Sequence, residues 1–196
     1  MVAAAERLWA EHGIDGVSLR EINRAAGQRN TNALQYHFGD REALLAAVLD
    51  KHRRDVEGNR NALLDQYELR GDDDLRTLAT ALVLPLIAKL SDDEGCYYLQ
   101  ILSEIVSHPK QYADVLGDVG SINRWRKLVE PLLPADAVRP LHRRFAAVRF
   151  AHIEIANRAR ERRSRDDRLF TSQLIDLVTA VLAAPISPET AALIRR

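Results

Sequence analysis

Residues 28–41 hold a run of side chains suited to reading a polar surface: Gln28, Arg29, Asn30, Thr31, Asn32, Gln35, Tyr36, His37 and Arg41. Asparagine and glutamine offer the paired donor and acceptor that match adenine, and arginine matches guanine. Threonine, tyrosine and histidine reach bases or phosphates. Leu34 and Phe38 are four apart, so on a helix they share a face and anchor it to a core. Arg41, beside the free amides that open a following helix, suits a phosphate. Catalytic patterns are missing: there is no Gly-x-Ser-x-Gly elbow, no His-Glu-x-x-His and no phosphate-cradling glycine loop. His108, His142 and His152 have no metal-site spacing, and Glu104 with His108 lacks the second half of a two-metal bundle site. The expectation is recognition, with no enzyme, cofactor or metal.

Such a surface needs a support. The spacing predicts a first helix over residues 2–12, with Ala5, Leu8 and Trp9 on one stripe, ended by Gly13. Ser18 with Glu21 forms a capping box that opens a second helix, which carries Leu19, Ile22 and Ala26 inward and stops at Gly27. A third helix covers residues 31–38. Two short helices joined by a glycine turn, with another packed across them, let one helix enter a major groove.

The remainder also reads as helix: 40–70, 72–90 with a kink at Pro85, 94–107, 121–133, 135–164 and 168–184, with a short C-terminal helix after Ser187. The fold class expected is all-α. An N-terminal three-helix DNA-binding domain (residues 1–47) joins a larger helical bundle (residues 48–196), the boundary falling inside the fourth helix.

Composition sets limits. The chain has 196 residues, 46% hydrophobic and 29% charged, as an ordinary globular protein has. Cys96 is the single cysteine, read as a buried thiol, which excludes an intrachain disulfide and fits a cytoplasmic protein. No apolar run is long enough for a bilayer, so no membrane partner is expected. The net charge is zero, and residues 1–54 hold eight Arg and Lys against seven Asp and Glu. The case for DNA therefore rests on local geometry, not on charge. The arginines from Arg158 to Arg168 read as a solvated helix end, partly neutralised by acids such as Asp72 to Asp74.

Residues 3–49 resemble the DNA-binding domain of the TetR family of transcriptional regulators. The resemblance lies in Leu8-Trp9-Ala10-Glu11-His12-Gly13, Val17-Ser18-Leu19-Arg20-Glu21-Ile22 with Ala25-Ala26-Gly27, Leu34, Tyr36-His37-Phe38-Gly39 and Asp40-Arg41-Glu42-Ala43-Leu44-Leu45. The step from Gly27 to Phe38 is one residue longer than the family's usual spacing, and Gln35 stands where an aromatic is often found. The resemblance implies a homodimeric regulator, a repressor released by a small-molecule effector. Its DNA contacts would be Ser18, Arg29, Asn30, Thr31, Asn32, Gln35, Tyr36, His37 and Arg41. A constitutive DNA-binding dimer without an effector is the alternative, and a helical-bundle enzyme a more remote one.

In that family the bundle holds the effector and the last two long helices pair with a second subunit. Tyr97, Tyr98, Ile101, Trp125, Phe145, Arg149 and His152 are the expected pocket residues, each of a type that also serves as plain core. His152 and Arg149 need polar partners if buried, either a ligand or a carboxylate such as Glu104. Leu174, Leu177, Val178 and Val181 are expected in the dimer seam.

Overall fold

The computed structural model describes residues 1–28, 33–71, 74–116, 120–161 and 166–194, and among these every regular element is helical. Three short helices come first: α1 (Val2–His12), α2 (Leu19–Ala25) and α3 (Ala33–Phe38). Then follow α4 (Arg41–Arg70), α5 (Leu75–Ile87), α6 (Asp93–Ser107), α7 (Ala113–Leu116) and α8 (Gly120–Val129). The chain closes with α9 (Ala135–Val138), α10 (Arg143–Glu161), α11 (Arg168–Ala183) and α12 (Pro188–Ile194).

Local chemistry explains the boundaries. Asp40, Asp74 and Asp92 each cap the helix that follows, accepting amides at 2.7 to 3.1 Å from residues two or three further on. That satisfies donors a helix start leaves free. Gly71 ends α4 in the left-handed conformation, φ 67°. Pro85 lies buried inside α5, and the chain tightens to a 3-10 turn over Ala88–Ser91.

One expectation needs correction. The helix placed over residues 135–164 is two helices: α9 ends at Val138 and α10 starts at Arg143. Pro140 has no amide to give, and it forces Arg139 out of the helical region to φ −139°, ψ 128°. His142 then turns the chain with φ 49°. Arg143, at the head of α10, donates to the carbonyls of Leu182 at 3.3 Å and Ala184 at 2.5 Å, so it closes the far end of α11.

A single apolar cluster runs from Ala5 on α1 to Leu182 on α11. Helix α6 packs on α10 and α1, α11 packs on α5 and α10, and α4 crosses to α5. The 30-residue α4 begins under the N-terminal helices and ends in the bundle, so one rod serves both. Among the described residues no single helix is long and apolar enough to cross a membrane.

Candidate nucleic-acid interface and bundle cavity

The N-terminal unit is built around α2. Ser18 Oγ accepts the Glu21 amide at 3.3 Å, and the Glu21 carboxylate takes the Ser18 amide and hydroxyl, both at 2.7 Å. Those bonds hold the Glu21 carboxyl below its usual range. Val17 and Ile22, on either side of the cap, are buried, as a hydrophobic staple requires. Gly16 tolerates no side chain, since a Cβ there would lie 2.2 Å from the His12 carbonyl oxygen. Beyond α2, Gly27 takes φ 68° and turns the chain toward α3.

On α3, Tyr36 is 86% exposed and His37 is exposed beside it, their rings edge-to-face with centroids 5.4 Å apart. Phe38 is half-buried against the core. Arg29, Asn30, Thr31 and Asn32 lie outside the described residues, as does the Gln35 side chain. Ser18 is exposed, with its hydroxyl engaged in the cap. Arg41 sits where it was expected, at the first turn of α4, but its guanidinium points inward. It donates to the Ile14 carbonyl, and to the Val17 carbonyl at 2.7 Å. Its observed partners are the loop between α1 and α2.

Two contacts that sequence reasoning missed bind this unit to the bundle. Glu104 on α6 accepts the Ile14 amide through both carboxylate oxygens, at 3.2 and 3.3 Å. Glu6 on α1 has no solvent exposure; His52 Nε2 meets it at 2.5 Å and Lys51 Nζ at 2.7 Å. Lys51 also reaches Glu94 on α6 at 2.7 Å, and burial alone would lower its pKa, yet the two carboxylates raise it. On its other side the His52 ring stacks on Tyr98, centroids 4.6 Å apart. The available signal for Glu6 was its place beside Ala5 and three residues before Trp9, next to the stripe of α1 that faces the core.

In the bundle, α4, α5, α6, α7, α8 and α10 line a partly open cavity of about 370 Å³, with Phe145 and Arg149 exposed on its wall. Of the seven expected pocket residues, Tyr98, Phe145, Arg149 and His152 line it. Tyr97, Ile101 and Trp125 do not: Trp125 is fully buried, with Nε1 donating to the Leu78 carbonyl at 2.7 Å, and Ile101 is core. His152 finds its partner on its own helix: its Nδ1 meets the Val148 carbonyl at 2.7 Å, so Nδ1 carries the proton and Nε2 is left as an acceptor. Burial drops the His152 pKa to about 4 and lifts Tyr98 to about 12. Arg60 and Glu57, neither anticipated, also line the wall.

The other expected groupings can be placed too. Leu174 and Val178 are buried within their own chain, while Leu177 is 43% exposed and Val181 half-buried. Of these four, only Leu177 and Val181 present surface. Arg158 pairs with Asp167 at 2.7 Å, while Asp72 and Asp73 lie outside the described residues. Cys96 is buried, and no cluster of metal-ligating side chains occurs among the described residues.

A capped supporting helix, a glycine turn and an outward-facing third helix define a helix-turn-helix nucleic-acid-binding unit, here seated on a helical bundle. The family model described as bacterial regulatory proteins, tetR family, matches residues 1–48, so these N-terminal residues are similar to the members of that family. The HTH-type transcriptional repressor AcnR of Corynebacterium efficiens is 38% identical over 48 residues, 24% of this chain. The match spans about a quarter of that relative's length, 25%. Among solved structures, a TetR-family regulator from Mesorhizobium loti is similar over 93% of both chains, with 17% identity and TM-score 0.47. RolR, solved with resorcinol, is similar over 95% of this chain and 92% of its own, with 19% identity and TM-score 0.44.

Proposed function

We propose that this chain is a transcriptional regulator that binds operator DNA as a homodimer and is released by a small molecule held in the bundle cavity. The observation that carries the reading is the N-terminal unit, whose 48 residues match the tetR family and leave Tyr36 and His37 facing outward. Ser18, Arg29, Asn30, Thr31, Asn32, Gln35, Tyr36 and His37 form the DNA surface in this reading, and Arg41 supports it from behind through the Ile14 and Val17 carbonyls. Two such units enter successive major grooves about 34–36 Å apart, or a multiple of that, on a near-palindromic site. The description of AcnR as a repressor supports repression as the sign of control.

Leu177 and Val181 on α11, with Ile153 on α10, supply apolar surface for the second subunit, and Leu174 and Val178 support it from within. The cavity supports an effector, because its volume falls within the roughly 300–1,000 Å³ typical of small-molecule sites. By linkage, DNA and effector then weaken each other by one coupling energy, on the order of 1–3 kcal/mol.

Selection of DNA from a random library, followed by anisotropy titrations, tests the reading. The N32A and Q35A variants are expected to lose about 1–3 kcal/mol on the selected site and less on random DNA. Equal losses on both would remove these residues from base reading. Cavity ligands that stabilise the protein yet never weaken DNA binding would favour a constitutive DNA-binding dimer.

A further inference from the structure

The cavity holds one feature that plain core packing does not explain. Arg60 is 2% exposed, and it is a guanidinium in the middle of a bundle. Its Nη1 donates to the Ser121 hydroxyl at 2.9 Å, a neutral partner. Its Nε is buried with no hydrogen-bond partner, and no carboxylate lies within ion-pair distance of it among the described residues. Glu57 is one helical turn away on α4 but faces α8, where its Oε2 accepts the Ser121 amide at 2.9 Å. Glu57 acts on Arg60 only through the Coulomb field, not by contact, and its own Oε1 is buried without a partner. Burying a charge with no anion in contact costs several kcal/mol, so a buried guanidinium ordinarily has an anion against it.

The rest of the wall fits an anion with an apolar body. Arg53, Arg126 and Arg149 also face the cavity, and among the described residues Glu57 is the one carboxylate on its wall. Leu86, Leu102 and Val148 supply the apolar surface. We infer that the cavity binds a small amphipathic monocarboxylate, with Arg60 as the anion anchor and the apolar tail between α5, α6 and α10. A monoanion suits the site better than a phosphate, because a second negative charge would be desolvated with Glu57 as its neighbour. His152 Nε2, an acceptor, would favour a ligand that also carries a hydroxyl near its head.

This rests on the effector reading of the same cavity, and the experiment separates the two. Calorimetric titrations of the full chain at neutral pH use two matched pairs of probes: octanoate with octanamide, and hydrocinnamate with hydrocinnamamide. Each carboxylate is expected to bind about ten- to a hundredfold more tightly than its amide, the size of a buried charge-assisted hydrogen bond. In R60Q that preference should collapse to about twofold or less. In E57Q, which keeps Arg60 and removes the competing charge, carboxylate affinity should rise severalfold, so the test does not depend on R60Q folding. Amides that bind as well as acids, or binding of neither member of both pairs, overturns the inference. So does carboxylate binding that E57Q weakens. If the protein selects DNA in any of these cases, the regulator reading stands without the ligand class. If it selects none but still prefers carboxylates through Arg60, the ligand class stands and the regulator reading falls.

Discussion

Arg41 shows how one side chain can change meaning between sequence and structure. Its position at the start of α4 suits a phosphate, yet its guanidinium holds the carbonyls of Ile14 and Val17. R41A is therefore expected to lose about 1–3 kcal/mol of stability in urea denaturation, the cost of leaving partly buried acceptors unmet. Its DNA affinity should keep the same salt dependence. A slope of log K against log salt flatter by about one would instead return Arg41 to the DNA backbone. His152 makes a second prediction at this scale. The folded chain takes up its proton only near pH 4, against 6.5 in the unfolded chain, because burial disfavours the imidazolium and Arg60 adds a like charge. The unfolded state thus binds more protons between those values, so stability rises with pH across the window and is lost as pH falls through it. The loss is on the order of 3 kcal/mol at most, and H152N should remove that part of the pH dependence of unfolding. An unchanged pH profile in H152N would place the dependence elsewhere.

At the scale of elements, α1 and α6 matter most, because they join the DNA-binding unit to the cavity. Tyr98 lines the cavity and stacks on His52, and His52 reaches Glu6 on α1. Glu104 on α6 holds the loop after α1. A ligand that moves Tyr98 would have a contiguous, close-packed route to α1, and the coupling itself is measurable. E6Q is expected to leave cavity-ligand affinity of the free protein unchanged. The factor by which that ligand weakens DNA binding, ordinarily about 5- to 150-fold in such couplings, should fall severalfold. An unchanged factor in paired anisotropy titrations would mean that the signal passes elsewhere.

The whole molecule poses the question of assembly. On α11, Leu169 is 81% exposed and Leu177 43%, next to helices that are otherwise well packed. A charge at Leu177 puts nothing polar into the monomer's own core but places a carboxylate in any seam formed there. L177E is therefore expected to shift the protein from dimer to monomer in analytical ultracentrifugation and to keep its helical circular dichroism. A dimer of unchanged affinity would move the interface off this face.

Much was legible in the sequence because it is encoded locally. The Ser18–Glu21 box, the glycines at 13 and 27, the aspartate caps and the helical periodicity each act within one or two turns. They specified an all-helical chain with its reading unit at the N-terminus. The break at Pro140 was legible too, because proline restricts its own backbone and that of the residue before it. Tertiary structure alone decided two things: it turned Arg41 inward, and it set Arg60, Tyr98 and His152 around one cavity while leaving Trp125 and Ile101 outside it. Each depends on which residues from distant helices converge, and a helical pattern states which face is buried without stating what it is buried against.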